Sequence, residues 1–145
     1  MRLVKIKPEV LKKYSADKQI MQKDERPSVL IMRLLYKGQN YTFAVPVRSN
    51  IPAASPKDEY FPLPTRSTTK DGRRHGIHYI KMFPIKPSDA VLYRTDGNLY
   101  AALVKGVIDK HEKQIIKECQ DYLQWYENGR HPEYATDIDY LLTLL

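Results

Sequence analysis

Apolar and polar positions along this chain fall into short runs, and most runs stop at a proline, a glycine or an asparagine. Leu3-Val-Lys-Ile6 reads as a short strand that ends ahead of Pro8. Residues 8–14 suit a helix, with Pro8 in the first turn where its missing N–H costs nothing. Residues 15–26 are polar and charged and predict a loop or ragged helix. The run 28–36 (Ser-Val-Leu-Ile-Met-Arg-Leu-Leu-Tyr) is nearly all apolar, as a central strand is. Lys37-Gly-Gln-Asn40 supplies a turn and residues 40–48 a second strand, so that 28–48 is the clearest hairpin in the chain. Pro46 has no N–H for a ladder, which predicts an edge or a bend there.

From 49 to 76 the periodicity is lost. This stretch holds Pro52, Pro56, Pro62 and Pro64, a Ser/Thr cluster over 65–69, and the basic residues Lys57, Arg66, Lys70, Arg73 and Arg74. It reads as one long loop, and a loop of that length inside a domain is usually functional. Residues 77–85 read as a strand again, closed by Pro84 and Pro87, while 90–94 and 98–104 flank a turn signal at Thr95-Asp-Gly97. The second of these runs already suits a helix. Val107, Ile108, Ile115, Cys119, Tyr122, Leu123 and Tyr126 then recur at helical spacing up to Asn128-Gly129, a good C-cap with Pro132 beyond it. Thr136-Asp-Ile-Asp139 suggests a capping box opening a last helix over 138–144.

Hairpins rather than strand–helix–strand crossovers predict an antiparallel α+β fold. A length of 145 residues fits one domain spanning the whole chain. The single Cys119 excludes an internal disulfide framework, and no apolar run approaches the roughly 20 residues of a membrane span. The start shows no signal-peptide pattern, so a soluble, cytoplasmic protein is expected.

Composition changes the picture in one direction. There are 24 Lys and Arg against 17 Asp and Glu, a formal charge of +7, and 11 of the aromatic residues are tyrosines. A basic, Tyr-rich domain suits a polyanion surface. The long loop holds five Lys/Arg against three Asp/Glu, so the surplus is spread over the molecule rather than confined there. Gly-rich phosphate loops, the Gly-x-Ser-x-Gly elbow and His-Glu-x-x-His are all missing, and one Cys with four scattered His gives a metal little to bind. An ATPase, protease or metallohydrolase is therefore not expected, and neither is a metal or other cofactor. Lys, Arg, Ser, Thr, Tyr and His do suffice for one reaction, RNA cleavage through the substrate's own 2′-hydroxyl, in which the protein orients, stabilises charge and moves protons. A non-catalytic RNA- or DNA-binding module would show the same residues.

The order Arg26-Pro27, an apolar strand, Gly38-Gln-Asn-Tyr41, Val45-Pro-Val-Arg-Ser49, a basic loop and His78-Tyr-Ile-Lys-Met-Phe-Pro-Ile85 resembles the ToxN/AbiQ/TenpN family. These are the endoribonuclease toxins of type III toxin–antitoxin systems, and Arg-Ser-Asn-Ile after the hairpin is most similar to the TenpN branch. The resemblance implies a strongly twisted antiparallel sheet or partial barrel flanked by helices, with C-terminal helices and a groove for single-stranded RNA. It implies metal-free cleavage to 2′,3′-cyclic phosphate and 5′-hydroxyl ends, a role in phage defence, and a structured, repeat-derived antitoxin RNA as inhibitor. Family members also cut that antitoxin's precursor and stay bound to the product in a cyclic protein–RNA assembly.

By the same resemblance, Ser49 matches the active-site serine after the second hairpin strand and would hydrogen-bond the scissile phosphate or the 2′-oxygen. Arg48 stands where ToxN members have threonine, and Arg26 where they have lysine; both would put charge on the phosphate. Lys57 answers to a lysine that the family places nearer its serine, and a competing register aligns Ser55-Pro56-Lys57 instead. His78 is a candidate acid or base in a strand. Arg66, Lys70, Arg73, Arg74, His75 and Lys81 are expected to bind RNA.

Overall fold

In the computed structural model, residues 1–20, 29–67, 69–93 and 97–145 are described; Arg26, the Arg94 end of the expected 90–94 run, and Thr95 and Asp96 of the expected turn lie outside them. The expected hairpin forms. Strand β2 (Val29–Tyr36) pairs with β3 (Gln39–Pro52) from Tyr36↔Gln39 to Val29↔Pro46, and only Lys37 and Gly38 remain for the turn. Both have positive φ, 49° and 79°, which matches the right-handed twist of the flanking strands.

Strand β3 runs on to Pro52, four residues past the expected end, and becomes the spine of the sheet. Along its second edge it pairs first with β6 (Phe83–Ile85) through residues 42–44, then with β5 (Arg73–His78) through residues 47–52. Pro46 falls in the gap between these two partners, so the bend expected there becomes a handover. Strand β4 (Tyr60–Leu63) pairs with β5, while β1 (Arg2–Ile6) pairs with β2 and with β7 (Ala90–Leu92). The result is a seven-stranded, wholly antiparallel open sheet of order β4-β5-β3-β2-β1-β7, with β6 on β3.

The expected long loop is thus corrected. Residues 49–76 hold the end of β3, a 3-10 turn at Lys57–Glu59, strand β4 and most of β5. Its prolines hid the strands: Pro52 ends β3, and Pro62 sits in β4, the outermost strand, where a missing N–H is tolerated. The strand expected over 77–85 is also divided, by a 3-10 turn at Tyr79–Lys81 between β5 and β6.

Helices cover both faces. Helix α1 (Pro8–Lys13) lays Val10 and Leu11 against Val4, Ile6, Ile31, Phe83 and Ile85, and the Tyr14 hydroxyl donates to the Pro84 carbonyl at 2.8 Å. On the other face, α2 (Leu99–Lys110), α3 (Glu112–Glu127) and α4 (Ile138–Leu142) close the larger core. The apolar stripe expected as one helix is two helices, separated at His111. Asn98 caps α2 by accepting from the Ala101 N–H at 3.0 Å. The last helix is capped by Asp137, not Thr136. Thr136 is buried, its N–H bonding the Ile80 carbonyl at 2.9 Å and its hydroxyl the Met82 carbonyl, and so holds the 79–81 turn in place.

One close approach fixes the β3–β5–β4 corner. A Cβ on Gly76 would stand 2.5 Å from the Phe61 carbonyl oxygen and 3.2 Å from the Tyr60 ring. Gly106, in the middle of α2, has nothing within 4 Å of such an atom. Gly76→Ala is therefore expected to destabilise by about 1–3 kcal/mol, whereas Gly106→Ala stabilises by about 0.5–1 kcal/mol. Thermal unfolding of the two variants checks this pair of opposite signs.

Candidate nucleic-acid interface

Strand periodicity sorts the β3–β5 ribbon into two faces. Val47, Ile77, Phe61 and Leu63 belong to the large core. Their neighbours Arg48, Gly76 and His78 belong to the opposite face, since successive side chains of a strand alternate. There the Arg48 guanidinium donates to Nδ1 of His78 at 3.3 Å. A guanidinium can only donate, so Nδ1 is the acceptor and the proton of His78 sits on Nε2. That Nε2–H is buried and has no hydrogen-bond partner among the described residues.

Lys81 completes the group. It is only 7% exposed, and its Nζ donates to Gln19 Oε1 at 2.6 Å and to the Tyr134 carbonyl at 2.8 Å. Both acceptors are neutral. Burial, reinforced by the Arg48 charge and opposed by Asp17, pulls the Lys81 pKa down to about 8. Burial, with the charges of Arg48 and Lys81, pulls that of His78 down to about 3. Three basic side chains thus share one partly dehydrated place, and the histidine is neutral at physiological pH.

Ser49 is next to this cluster and half-buried. The register slips between Arg48↔Gly76 and Ile51↔Arg74, so Ser49 and Asn50 form a β-bulge. Bulges re-aim side chains, and they are frequent beside active sites. The Asn50 side chain accepts from the Lys70 N–H at 3.0 Å, and Arg66 and Thr69 close a turn just before it. Lys70 is in this way tied to the bulge.

The other expected residues are distributed. Lys70, Arg73 and Arg74 are exposed around the β3–β5 edge. Arg66 lies over the Tyr100 ring at 5.1 Å. His75, expected as a phosphate contact, is 2% exposed and turned inward, with Nδ1 beside the Pro64 carbonyl at 2.8 Å and beside the Tyr100 hydroxyl. Burial lowers its pKa, with Arg66 adding to the effect and the Pro64 carbonyl opposing it. Lys57 stands apart from Arg48 and His78, at a shallow cleft with Asp58, Glu118, Asp121 and Trp125 on the α3 side. The sequence offered no signal for Gln19 and Tyr134 at Lys81, because both contacts are long-range in the chain. Among the described residues, no three His, Cys, Asp or Glu side chains converge as metal ligands, and no helix is long and apolar enough to cross a membrane.

No family model and no curated protein matches the sequence. The fold is similar to that of a solved structure described in the words "A processed non-coding RNA regulates a bacterial antiviral system". The TM-score is 0.74 at 13% identity, over 99% of this chain and 96% of that one. The two chains share one fold.

The lowered His78 pKa sets a direction for acid stability. Between its ordinary value near 6.5 and about 3, the unfolded chain binds a proton that the folded chain refuses. Stability from this residue is complete above about pH 6.5 and is lost as the pH falls through that window, by a few kcal/mol in all. His78→Gln keeps an acceptor for Arg48 and does not titrate. Melting temperatures from pH 7 downward are expected to fall less steeply for His78→Gln than for wild type.

Proposed function

We propose that this chain is a metal-independent endoribonuclease toxin of a type III toxin–antitoxin system, restrained by a structured antitoxin RNA and acting in the cytoplasm in phage defence. The observation that carries the reading is the convergence of Arg48, His78 and Lys81 on one face of the ribbon, beside the Ser49 bulge. Basic residues that burial and one another's charge push toward their neutral forms favour a nearby anion, and a phosphodiester is such an anion. The shared fold with a protein of an RNA-regulated antiviral system supports the same reading. The cyclic protein–RNA assembly and the choice of cellular or phage RNA as target belong to this proposal too.

In this scheme the RNA supplies its own nucleophile. The 2′-oxygen attacks phosphorus as its proton passes to solvent water, and the bond to the 5′-oxygen breaks as that oxygen takes a proton from the Lys81 ammonium. Arg48 neutralises the charge that builds on the phosphorane oxygens. Ser49 hydrogen-bonds the phosphate and orients the 2′-oxygen in line. His78 is assigned a different task from the acid or base first expected. With its pKa near 3 it stays neutral and offers its Nε2–H as a fixed donor. Lys81, with a pKa near 8, is the member of the group that can give up a proton near neutral pH. Arg26 keeps its expected place as a phosphate-stabilising residue, and Lys70, Arg73 and Arg74 hold the flanking backbone.

Purified protein in EDTA is expected to cut RNA into discrete fragments ending in 2′,3′-cyclic phosphates. Ser49→Ala and Lys81→Met each slow cleavage by about 10²–10⁴-fold. The wild-type rate is expected to fall as the pH rises above about 8, where Lys81 loses its proton. RNA that is bound but never cut would replace the enzyme reading with a non-catalytic binding module, and cleavage abolished by EDTA would overturn the metal-free mechanism.

A further inference from the structure

On the core-facing side of the β3–β5 ribbon is a cavity that the cleavage scheme does not use. Its volume is about 190 Å³, and Arg66, His75, Tyr93, Asn98 and Tyr100 line it above a floor that includes Val47 and Ala101. Taking about 30 Å³ per water, that is room for roughly six waters or one aromatic heterocycle. The walls are flat and π-rich. The His75 and Tyr100 rings lie 5.5 Å apart, and the Arg66 guanidinium covers Tyr100 at 5.1 Å. The Tyr100 hydroxyl donates to the Pro64 carbonyl at 2.6 Å, which locks the ring to the strand-side wall.

We infer that this cavity receives one unstacked RNA base and reads it. The inference rests on the RNA-binding reading above but concerns a separate site. Unstacked bases are held by aromatic faces and guanidinium planes and recognised at their edges, and both kinds of surface are present here. The edge chemistry narrows the choice. The Arg66 guanidinium can only donate and the Asn98 amide adds two N–H donors, while the Asn98 Oδ1 already accepts from the Ala101 N–H, so donors predominate along the edge. Such a lining fits a base that presents carbonyl oxygens, as uracil and guanine do, over adenine, which has none. The cavity also has a route to the cleavage site. Arg66 in the cavity wall closes a turn with Thr69, and the N–H of the next residue, Lys70, is held by Asn50 in the bulge beside Ser49. A strand passing from Arg66 toward Lys70 would place one base in the cavity and a nearby phosphate at the Arg48–His78–Lys81 group.

The test is equilibrium binding of labelled uridine and adenosine homopolymer RNAs to wild type, Ala101→Leu and Arg66→Ala. Ala101→Leu fills the cavity from α2 without removing a polar group, and Arg66 is exposed, so its removal leaves the core intact. Wild type is expected to prefer uridine by about tenfold, the size of one edge hydrogen bond that adenine cannot make. Both variants are expected to lose that preference; Ala101→Leu keeps its affinity for adenosine RNA and its salt dependence, whereas Arg66→Ala, which also removes one cationic charge, binds both RNAs more weakly and with a smaller salt slope. An unchanged preference in both variants, or none in wild type, overturns the base pocket and leaves the nuclease reading standing. RNA bound with the expected preference but never cut does the reverse. Wild type that binds neither RNA overturns both.

Discussion

Everything in this molecule hangs on β3 having two partners on one edge. A 14-residue strand with β2 along only part of its length would expose a long row of backbone donors and acceptors on the other edge, and such groups must be paired. The chain meets the demand by returning twice, with β5 on residues 47–52 and β6 on residues 42–44. Pro46, which has no N–H to offer, stands where one partner ends and the other begins. The turn at Tyr79–Lys81 is the link between these two returns, and the Thr136 and Tyr79 hydroxyls clamp it from the C-terminal segment and from α3, the latter by donating to Glu118 at 2.7 Å. Lys81 lies in that link. The same requirement that completes the sheet therefore carries a lysine into a buried position beside Arg48 and His78.

The bulge at Ser49-Asn50 follows from the same geometry. Beyond Arg48 the two strands stay paired through Ile51↔Arg74 and Pro52↔Arg73, and the extra residue on β3 is absorbed without ending the ladder. Gly76 is what lets β4 approach β5 closely at this level, since any side chain there would press on the Phe61 carbonyl. The corner is held from the outside as well, where Arg130 lies over the Trp125 ring at 3.9 Å and bonds Asp58 at 3.2 Å. Exposed pairs of that kind are individually worth little. Here they tie the Lys57–Glu59 turn to α3, so the strand that follows starts from a fixed point.

How much of this was legible in the residues depended on range. The hairpin, α1 and the end of α3 at Asn128 are local features, and local patterning gave them. The two helices at His111 read as one because the stripe from Ile108 to Ile115 keeps its spacing across a break of a single residue. Strands β4 and β5 were obscured for a different reason. Prolines and basic residues are ordinary on an outer strand and its partner, yet the same composition reads as a loop when pairing is unknown. Of the candidate site, Arg48, Ser49, His78 and Lys81 were all marked, but as separate expectations. Their meeting on one face depends on the Val47↔Ile77 register, which no local pattern encodes. Tyr100 and Asn98 went unmarked because their part in the cavity is set by how α2 docks, not by their own neighbours.

The electrostatics tie this arrangement back to stability. Basic groups whose pKa values are pulled down by burial and by one another make folding harder at any pH where they would otherwise be charged. A chain selected only for stability would place apolar residues there, as replacements of buried charged groups often show. The group is tolerated because the surrounding core is large and because Gln19 and Tyr134 accept from Lys81 and Nδ1 of His78 accepts from Arg48. Any anion that came to rest beside it would raise the Lys81 pKa and, by binding the folded state alone, would stabilise the fold in the same step. Under the proposed function, a restraining RNA held on Arg48, His78 and Lys81 would therefore do more than block access, since its phosphates would favour the charged form of Lys81 that burial disfavours.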